Sequence, residues 1–280
     1  MNAIWKAAGA AAWGAVSFGG LLPVLDQERR QKIEDLCPNP GGVFVAAFSY
    51  FAGRSPGNLA LYARGEDYHR VLLRRLEGVC ASLKARYPDH CFLPGADNSP
   101  IPEQGAAVLA GLGEKGQHNL LLVPPYGSYL FLGTILTDLP LETSVGRIET
   151  ACSHCGACGR ACPTGALSEH GLEASRCLSH LSQKKGELSP WEAKAQQRSP
   201  LIWGCDLCQA ACPCNRHARE TELPEFRENL LHALSAEEIK DLTNRQWKER
   251  YGDRAFSWRG PSVLRRNIAL LEERTQEDDD

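Results

Sequence analysis

The chain has 280 residues, of which 43% are hydrophobic and 23% charged, with a formal net charge of −3. That composition fits a soluble globular protein long enough for two compact domains, and it excludes a wholly disordered or strongly basic chain. Ile4 to Leu25 is rich in Ala, Gly and apolar residues, but Lys6 is its only positive charge and Pro23 and Asp26 follow at once. With no twin-arginine pair and no small-x-small cleavage site, the passage reads as a helix and a short strand rather than a signal peptide. The chain is expected to be cytoplasmic and free of the membrane.

Residues 1–145 read as an α/β domain. Asp26 can cap a helix running to about Leu36, and Gly42 to Phe51 has the continuous apolar character of a buried strand. Glu66 to Tyr87 carries Val71, Leu72, Leu76, Val79 and Leu83 at three–four spacing, with Pro88 as its stop. A Gly/Pro-rich loop from Pro94 to Pro102 leads into a helix ending near Gly111, and strands at Asn119 to Val123 and Tyr129 to Thr137 close the domain. A cysteine-rich segment from Ile148 to His217 (residues 146–220 with its margins) follows. Residues 221–271 read as mostly helical and 272–280 as an acidic, solvated tail.

The cysteine-rich segment carries Cys152-x2-Cys155-x2-Cys158-x3-Cys162-Pro163 and Cys205-x2-Cys208-x3-Cys212-Pro213. In the bacterial two-cluster pattern three closely spaced thiolates hold one cubane while the cysteine before proline ligates the other. The ligands are therefore read crosswise. Cys152, Cys155, Cys158 and Cys212 form one 4Fe-4S set, and Cys162, Cys205 and Cys208 lack a fourth member. Cys177 is the favoured fourth ligand and Cys214, two residues beyond Cys212, is its competitor. A zinc site needs fewer thiolates than this run supplies, and disulfides would need an oxidising compartment. Cys37, Cys80 and Cys91 stand singly among apolar residues and read as small buried hydrophobes.

Three further passages carry a resemblance: Gly95-Ala96-Asp97-Asn98-Ser99-Pro100, Ala110-Gly111-Leu112-Gly113-x-x-Gly116, and Gly127-Ser128-Tyr129-Leu130-Phe131-Leu132-Gly133-x-Ile135-Leu136-Thr137-Asp138. Together with Arg176-Cys177-Leu178-Ser179, Trp203-Gly204-Cys205-Asp206-x-Cys208-Gln209 and Cys212-Pro213-x-Asn215, they make the chain resemble the epoxyqueuosine reductases from about Ile4 to Leu271. The resemblance implies a nitroreductase-like cobalamin-binding domain beside a ferredoxin-like double 4Fe-4S domain. It implies electrons passing through the clusters to cobalamin, and removal of the epoxide oxygen from epoxyqueuosine at the tRNA wobble position. It also implies tRNA as partner and a low-potential donor such as flavodoxin or ferredoxin.

By the same resemblance Asp97 stands at the position of the catalytic acid. A carboxyl facing an apolar corrin is expected to have its pKa raised by desolvation, although Asp-Asn-Ser-Pro is also good turn chemistry. Gly111, Gly113 and Gly116 follow a helix rather than a strand, which weakens a dinucleotide-loop reading. Close approach of their backbone to a corrin is the expectation, and Leu121, Leu122 and Val123 map to the family's corrin-contacting strand while also suiting a plain core. Tyr68-His69 matches the family as well, with His69 read as a satisfied helix histidine and not a cobalt ligand.

Departures from the family pattern are Glu114, Gln117 and His118 in the glycine loop, Glu103-Gln104 where an Arg is common, and Cys214 in place of Trp. Long members continue into a helical-repeat domain. Here the last stretch holds Arg245, Lys248, Arg250, Arg254, Arg259, Arg265 and Arg266 among Trp247, Tyr251, Phe256 and Trp258, a mixture suited to phosphate contact and base stacking. The other readings are a corrinoid iron–sulfur reductase acting on a small substrate and a two-cluster electron carrier.

Overall fold

The computed structural model describes residues 1–144 and 151–279, with side chains to residue 273. The boundary expected at 145/146 and the start of the cysteine-rich segment at Ile148 lie outside the described residues. Helix α1 (Asn2–Ala7), strand β1 (Ala12–Ser17), α2 (Phe18–Leu21) and α3 (Gln27–Leu36) open the chain, so the Ala/Gly-rich start is a helix and a strand. Trp5 of α1 is fully buried and stacks on Trp13 of β1 at 5.6 Å between ring centroids. Asp26 caps α3 by accepting the Arg29 N–H at 2.8 Å.

Strand β2 (Gly42–Ser49) is buried along its whole length. Helix α4 (Tyr68–Arg86) begins at an Asp67 cap and buries Val71, Leu72, Leu76, Val79 and Leu83. Each such aliphatic side chain contributes roughly 1.5–3 kcal/mol when fully buried. Then come β3 (Phe92–Gly95), α5 (Glu103–Leu109), the short pair β4 (Glu114–Lys115) and β5 (Leu121–Leu122), and β6 (Leu130–Thr137).

The main sheet has the order β1-β2-β6-β3, antiparallel at every step. Helix α4 covers one face with Phe44, Phe48, Phe131 and Ile135, while Ile33, Ala106, Ala107 and Leu121 join Val43 and Val45 on the other. Burial on both faces explains why β2 reads as an unbroken apolar run even though the sheet is antiparallel. Gly133 lets α4 approach closely, since a Cβ there would stand 2.8 Å from Leu76 Cδ1.

The cysteine-rich segment is built from short pieces: α6 (Ala157–Arg160), the hairpin β7 (Leu167–Ser168) and β8 (Gly171–Leu172), α7 (Leu178–Leu181), α8 (Pro190–Gln197) and α9 (Leu207–Ala211). Helices α10 (Ala236–Ile239), α11 (Asn244–Tyr251) and α12 (Pro261–Asp279) complete the chain, and α12 continues through the acidic run expected to be a tail. Trp247, Tyr251 and Phe256 pack with Leu59, Ile202 and Trp203 in a third core. That corrects the expectation for three of the four aromatics there: they are core residues, and only Trp258 is exposed, at 57%. Several of the interleaved cations are committed inside the chain too. Arg254 donates to Arg64 O and Asn229 O, Arg265 to Ile239 O and Leu242 O, and Arg266 to Lys184 O and Gly186 O.

Candidate active site and cysteine cavities

The eight cysteines sort into two cavities. Cys152, Cys155, Cys158 and Cys212 line a narrow one of about 20 Å³, together with Gln117, His118 and Cys214. Cys162, Cys177, Cys205 and Cys208 line a larger one of about 320 Å³. The chain crossing that brings Cys212 to the first set and Cys162 to the second is the one expected from spacing. Cys177 stands in the second cavity, whereas Cys214 borders the first and donates its Sγ–H to Ala151 O at 2.9 Å. The two cavities adjoin, with His118 in the lining of both. Burial pushes the Cys205 and Cys208 thiols up to about 12. Such groups ionise when a metal centre supplies the compensating positive charge. A set of four thiols around each space is the donor chemistry that a cubane cluster requires.

The glycine-loop departures hold the first cysteine run. Glu114 Oε1 accepts the N–H groups of Ala151, at 2.6 Å, and of Cys152. Gln117 Oε1 accepts Gly156 N–H at 3.2 Å, and the Gln117 N–H points to Cys152 Sγ at 3.5 Å. Sequence reasoning missed this role because the partners lie more than thirty residues apart.

A buried amide network fastens the cysteine segment to the main sheet. Asn215 Oδ1 accepts Ser128 N–H at 2.8 Å, and its Nδ2 donates to Ser128 Oγ at 2.9 Å and to Gln209 O at 2.8 Å. Gln209 Nε2 donates to Ser128 O at 3.0 Å and to Tyr50 OH at 3.2 Å. Gly127, at φ +63°, is required here, since a Cβ would stand 2.1 Å from Asn215 Oδ1.

Asp97 follows β3 in the left-handed region at φ 61°, a conformation that Asp tolerates better than most residues. Its Oδ2 lies 2.9 Å from His69 Nε2, and His69 Nδ1 lies 2.7 Å from Asp67 Oδ1. Asp97 N–H donates to Glu103 Oε1 at 2.8 Å. A cavity of about 290 Å³ opens beside Asp97, lined by Arg29, Ser99, Ile101, Pro102 and Glu103. The His69 hydrogen bond holds the Asp97 carboxyl below its ordinary pKa, against the opposing effect of burial. This reverses the expected upward shift. Burial acts to lower His69, but its bonds to Asp67 and Asp97 win and raise it to about 9. Burial does raise the neighbouring Glu103 carboxyl, to about 7. His69 is therefore satisfied, as expected, but by the candidate acid itself. Tyr68 stacks on His69 at 4.0 Å and on Phe131 at 4.3 Å, and Phe131, Tyr50, Tyr62 and Leu130 form an apolar wall of the larger cysteine cavity.

The glycines fit contacts within the chain more closely than the expected approach to a ring. A Cβ on Gly113 would stand 2.0 Å from Leu122 O, one on Gly116 would stand 2.8 Å from His118 Cε1, and Gly111 turns the end of α5 at φ +71°. Leu121, Leu122 and Val123 are all buried, Leu121 and Val123 within the core beneath α5. Cys37 and Cys91, expected to stand singly, meet with their Sγ atoms 3.5 Å apart.

A family model for the 4Fe-4S double cluster binding domain matches residues 151–215, and one described as "Epoxyqueuosine reductase QueG, DUF1730" matches residues 30–95. The epoxyqueuosine reductase of Synechocystis sp. (strain PCC 6803) is 32% identical over 270 residues, covering 91% of this chain and 91% of that protein. The chain belongs to the epoxyqueuosine reductase family. The Bacillus subtilis (strain 168) epoxyqueuosine reductase is 37% identical over 213 residues, covering 74% of this chain and 53% of that protein, so the match spans about half of the longer relative. A crystal structure of a selenomethionine-labelled epoxyqueuosine reductase superposes with a TM-score of 0.82 at 26% identity, covering 99% of this chain and 82% of that one. An epoxyqueuosine reductase solved with an epoxyqueuosine-modified tRNA-Tyr stem loop gives a TM-score of 0.81 at 26% identity, covering 98% and 80%. Among the described residues no helix is long and apolar enough to cross a membrane.

Proposed function

We propose that this chain reduces epoxyqueuosine to queuosine in tRNA, using two 4Fe-4S clusters and cobalamin. The observation that carries the reading is two sets of four cysteines lining two cavities, with Phe131 of the larger cavity stacked on Tyr68, and Tyr68 stacked on His69, the partner of Asp97. Cys152, Cys155, Cys158 and Cys212 hold one cluster, and Cys162, Cys177, Cys205 and Cys208 hold the other. Electrons come from a low-potential one-electron donor such as flavodoxin or ferredoxin. Epoxide to alkene conversion takes two electrons and two protons and releases the oxygen as water.

The apolar surface of Tyr50, Tyr62, Leu130 and Phe131 suits the face of a corrin. Ser49 Oγ, at the same end of the sheet, is a buried polar atom with no partner among the described residues, which fits a ligand that carries amide side chains. Bound there, cobalamin would supply the low-potential reducing chemistry for the epoxide carbon. Asp67 orients the His69 ring through Nδ1, and near neutral pH His69 holds its proton at Nε2 against the Asp97 carboxylate. Asp97 takes that proton as negative charge grows on the epoxide oxygen and passes it on, and solvent at the exposed Asp97 loop supplies the second proton that releases the oxygen as water. A solved Bacillus subtilis epoxyqueuosine reductase has its catalytic Asp loop swung out of the active site, and the solvent-facing Asp97 loop suits the same movement. For RNA, one exposed feature of the last stretch is Trp258 with the Arg259 guanidinium 3.7 Å from its ring, a platform for base stacking.

The deciding experiment is anaerobic turnover of epoxyqueuosine-containing tRNA by the cluster-reconstituted, cobalamin-loaded chain, with nucleosides read by mass spectrometry. Queuosine formed by the wild type and lost in Asp97→Asn supports the reading; intact clusters and bound cobalamin without product overturn it.

A further inference from the structure

We infer that His118 donates a hydrogen bond to one of the two iron–sulfur centres and so sets their reduction potentials apart. The inference rests on the assignment of the eight thiols as cluster ligands.

Leu120 N–H donates to His118 Nδ1 at 3.2 Å. A ring nitrogen that accepts is unprotonated, so the neutral imidazole carries its hydrogen on Nε2. That Nε2 is buried with no partner among the described residues, in a side chain only 4% exposed. Among the described residues His118 alone lines both cysteine cavities. A buried N–H with nothing to bond is the exception in folded proteins and calls for an acceptor. The acceptors that the surroundings offer are the sulfur atoms of the centres those thiols hold.

The ring is held in place. A side chain at residue 116 would meet His118 Cε1 at 2.8 Å and Nδ1 at 3.2 Å, so Gly116 leaves the space that the imidazole fills. The neighbouring residue already behaves in the inferred way, with the Gln117 N–H directed at Cys152 Sγ. His118 is one of the departures from the family's glycine-loop pattern, and the geometry gives it a use that the spacing of glycines could not suggest.

Reduction adds negative charge to a centre, and an N–H directed at its sulfur stabilises the reduced form more than the oxidised one. A single N–H serves one sulfur, so it raises one potential relative to the other and gives electrons a preferred direction between neighbouring centres.

The test uses the full chain after anaerobic reconstitution, with iron and sulfide content measured before redox titration followed by EPR. His118→Leu removes the donor at similar volume, and His118→Gln keeps an N–H. The expected result is one couple made about tenfold harder to reduce in His118→Leu, a fall of about 59 mV for one electron, with the other couple unmoved and His118→Gln close to wild type. Unmoved couples in His118→Leu, or equal shifts in both variants, would overturn the inference. A measurement on the unmutated protein guards against a variant that fails to fold. Pulsed EPR of the reduced protein with ¹⁵N-histidine in D₂O is expected to show a histidine nitrogen and an exchangeable deuteron coupled to one centre. Intact centres without that coupling overturn this inference alone, whereas failure of the chain to take up iron and sulfide overturns it together with the ligand assignment.

Discussion

Replacing His69 by Gln tests the proton store beside Asp97. The rise of the His69 pKa from 6.5 to about 9 corresponds to roughly 3 kcal/mol favouring the charged ring, at about 1.4 kcal/mol per pH unit. The two partners share this unequally. Asp67 is 20% exposed and Asp97 53%, so solvent screens the second contact and its part is about 1 kcal/mol. Because the folded pKa lies above the unfolded one, the stabilisation is fully present below 6.5 and is lost as pH rises through about 9. Wild type should therefore exceed His69→Gln in stability most near pH 6 and least near pH 10, as read by urea unfolding at each pH. In single-turnover assays on an epoxyqueuosine tRNA stem loop, the wild-type rate should hold to about pH 9 and fall beyond it. His69→Gln should lose that alkaline limb and react roughly 10²-fold more slowly, the low end for loss of a positioned acid. A variant with the wild-type rate and the same limb would refute the placement of the proton on His69.

Cys177→Ser should lose about half of the iron and sulfide while Cys214→Ser retains both clusters, measured by metal analysis and visible absorbance. Gly113→Ala should destabilise the chain by about 1–3 kcal/mol through the collision with Leu122 O, whereas a glycine reserved for a corrin would change cobalamin affinity and leave the apoprotein melting point alone. Arg265→Met should cost about 1–3 kcal/mol of stability by orphaning the carbonyls of Ile239 and Leu242, with stem-loop affinity unchanged in a filter-binding assay. Trp258→Ala should do the reverse, weakening RNA binding by about 1–3 kcal/mol without moving the melting point.

The residues that sequence reading located well are those whose signal is local. Helix α4 follows from three–four spacing and its Pro88 stop, β2 from an unbroken apolar run, and seven of the eight cavity cysteines from the spacing of the two runs. Strand β3 was hidden because Pro94 and Gly95 read as loop; it lies at the sheet edge, where such residues are tolerated. The ionisation of Asp97 was expected in the wrong direction because the deciding neighbour, His69, is 28 residues away. Glu114 and Gln117 looked like losses from a cofactor loop when read alone, and their work is visible only once the first cysteine run is folded against them. The basic, aromatic C-terminal stretch misled for the opposite reason: composition cannot tell an arginine facing solvent from one bonded to backbone carbonyls.

The Asn215–Ser128–Gln209–Tyr50 network bears on how fast electrons can cross from the cysteine segment to the sheet. Tunnelling between redox centres weakens exponentially with separation, so a flexible junction would make the rate depend on how often the two parts happen to be close. Here four buried polar side chains, Tyr50, Ser128, Gln209 and Asn215, bond mutually across the junction, and parting them would leave several polar groups unpaired in a water-poor interior. The network therefore fastens the two parts at one separation, and in the proposed reaction electron passage would follow driving force and not docking motions of one half against the other.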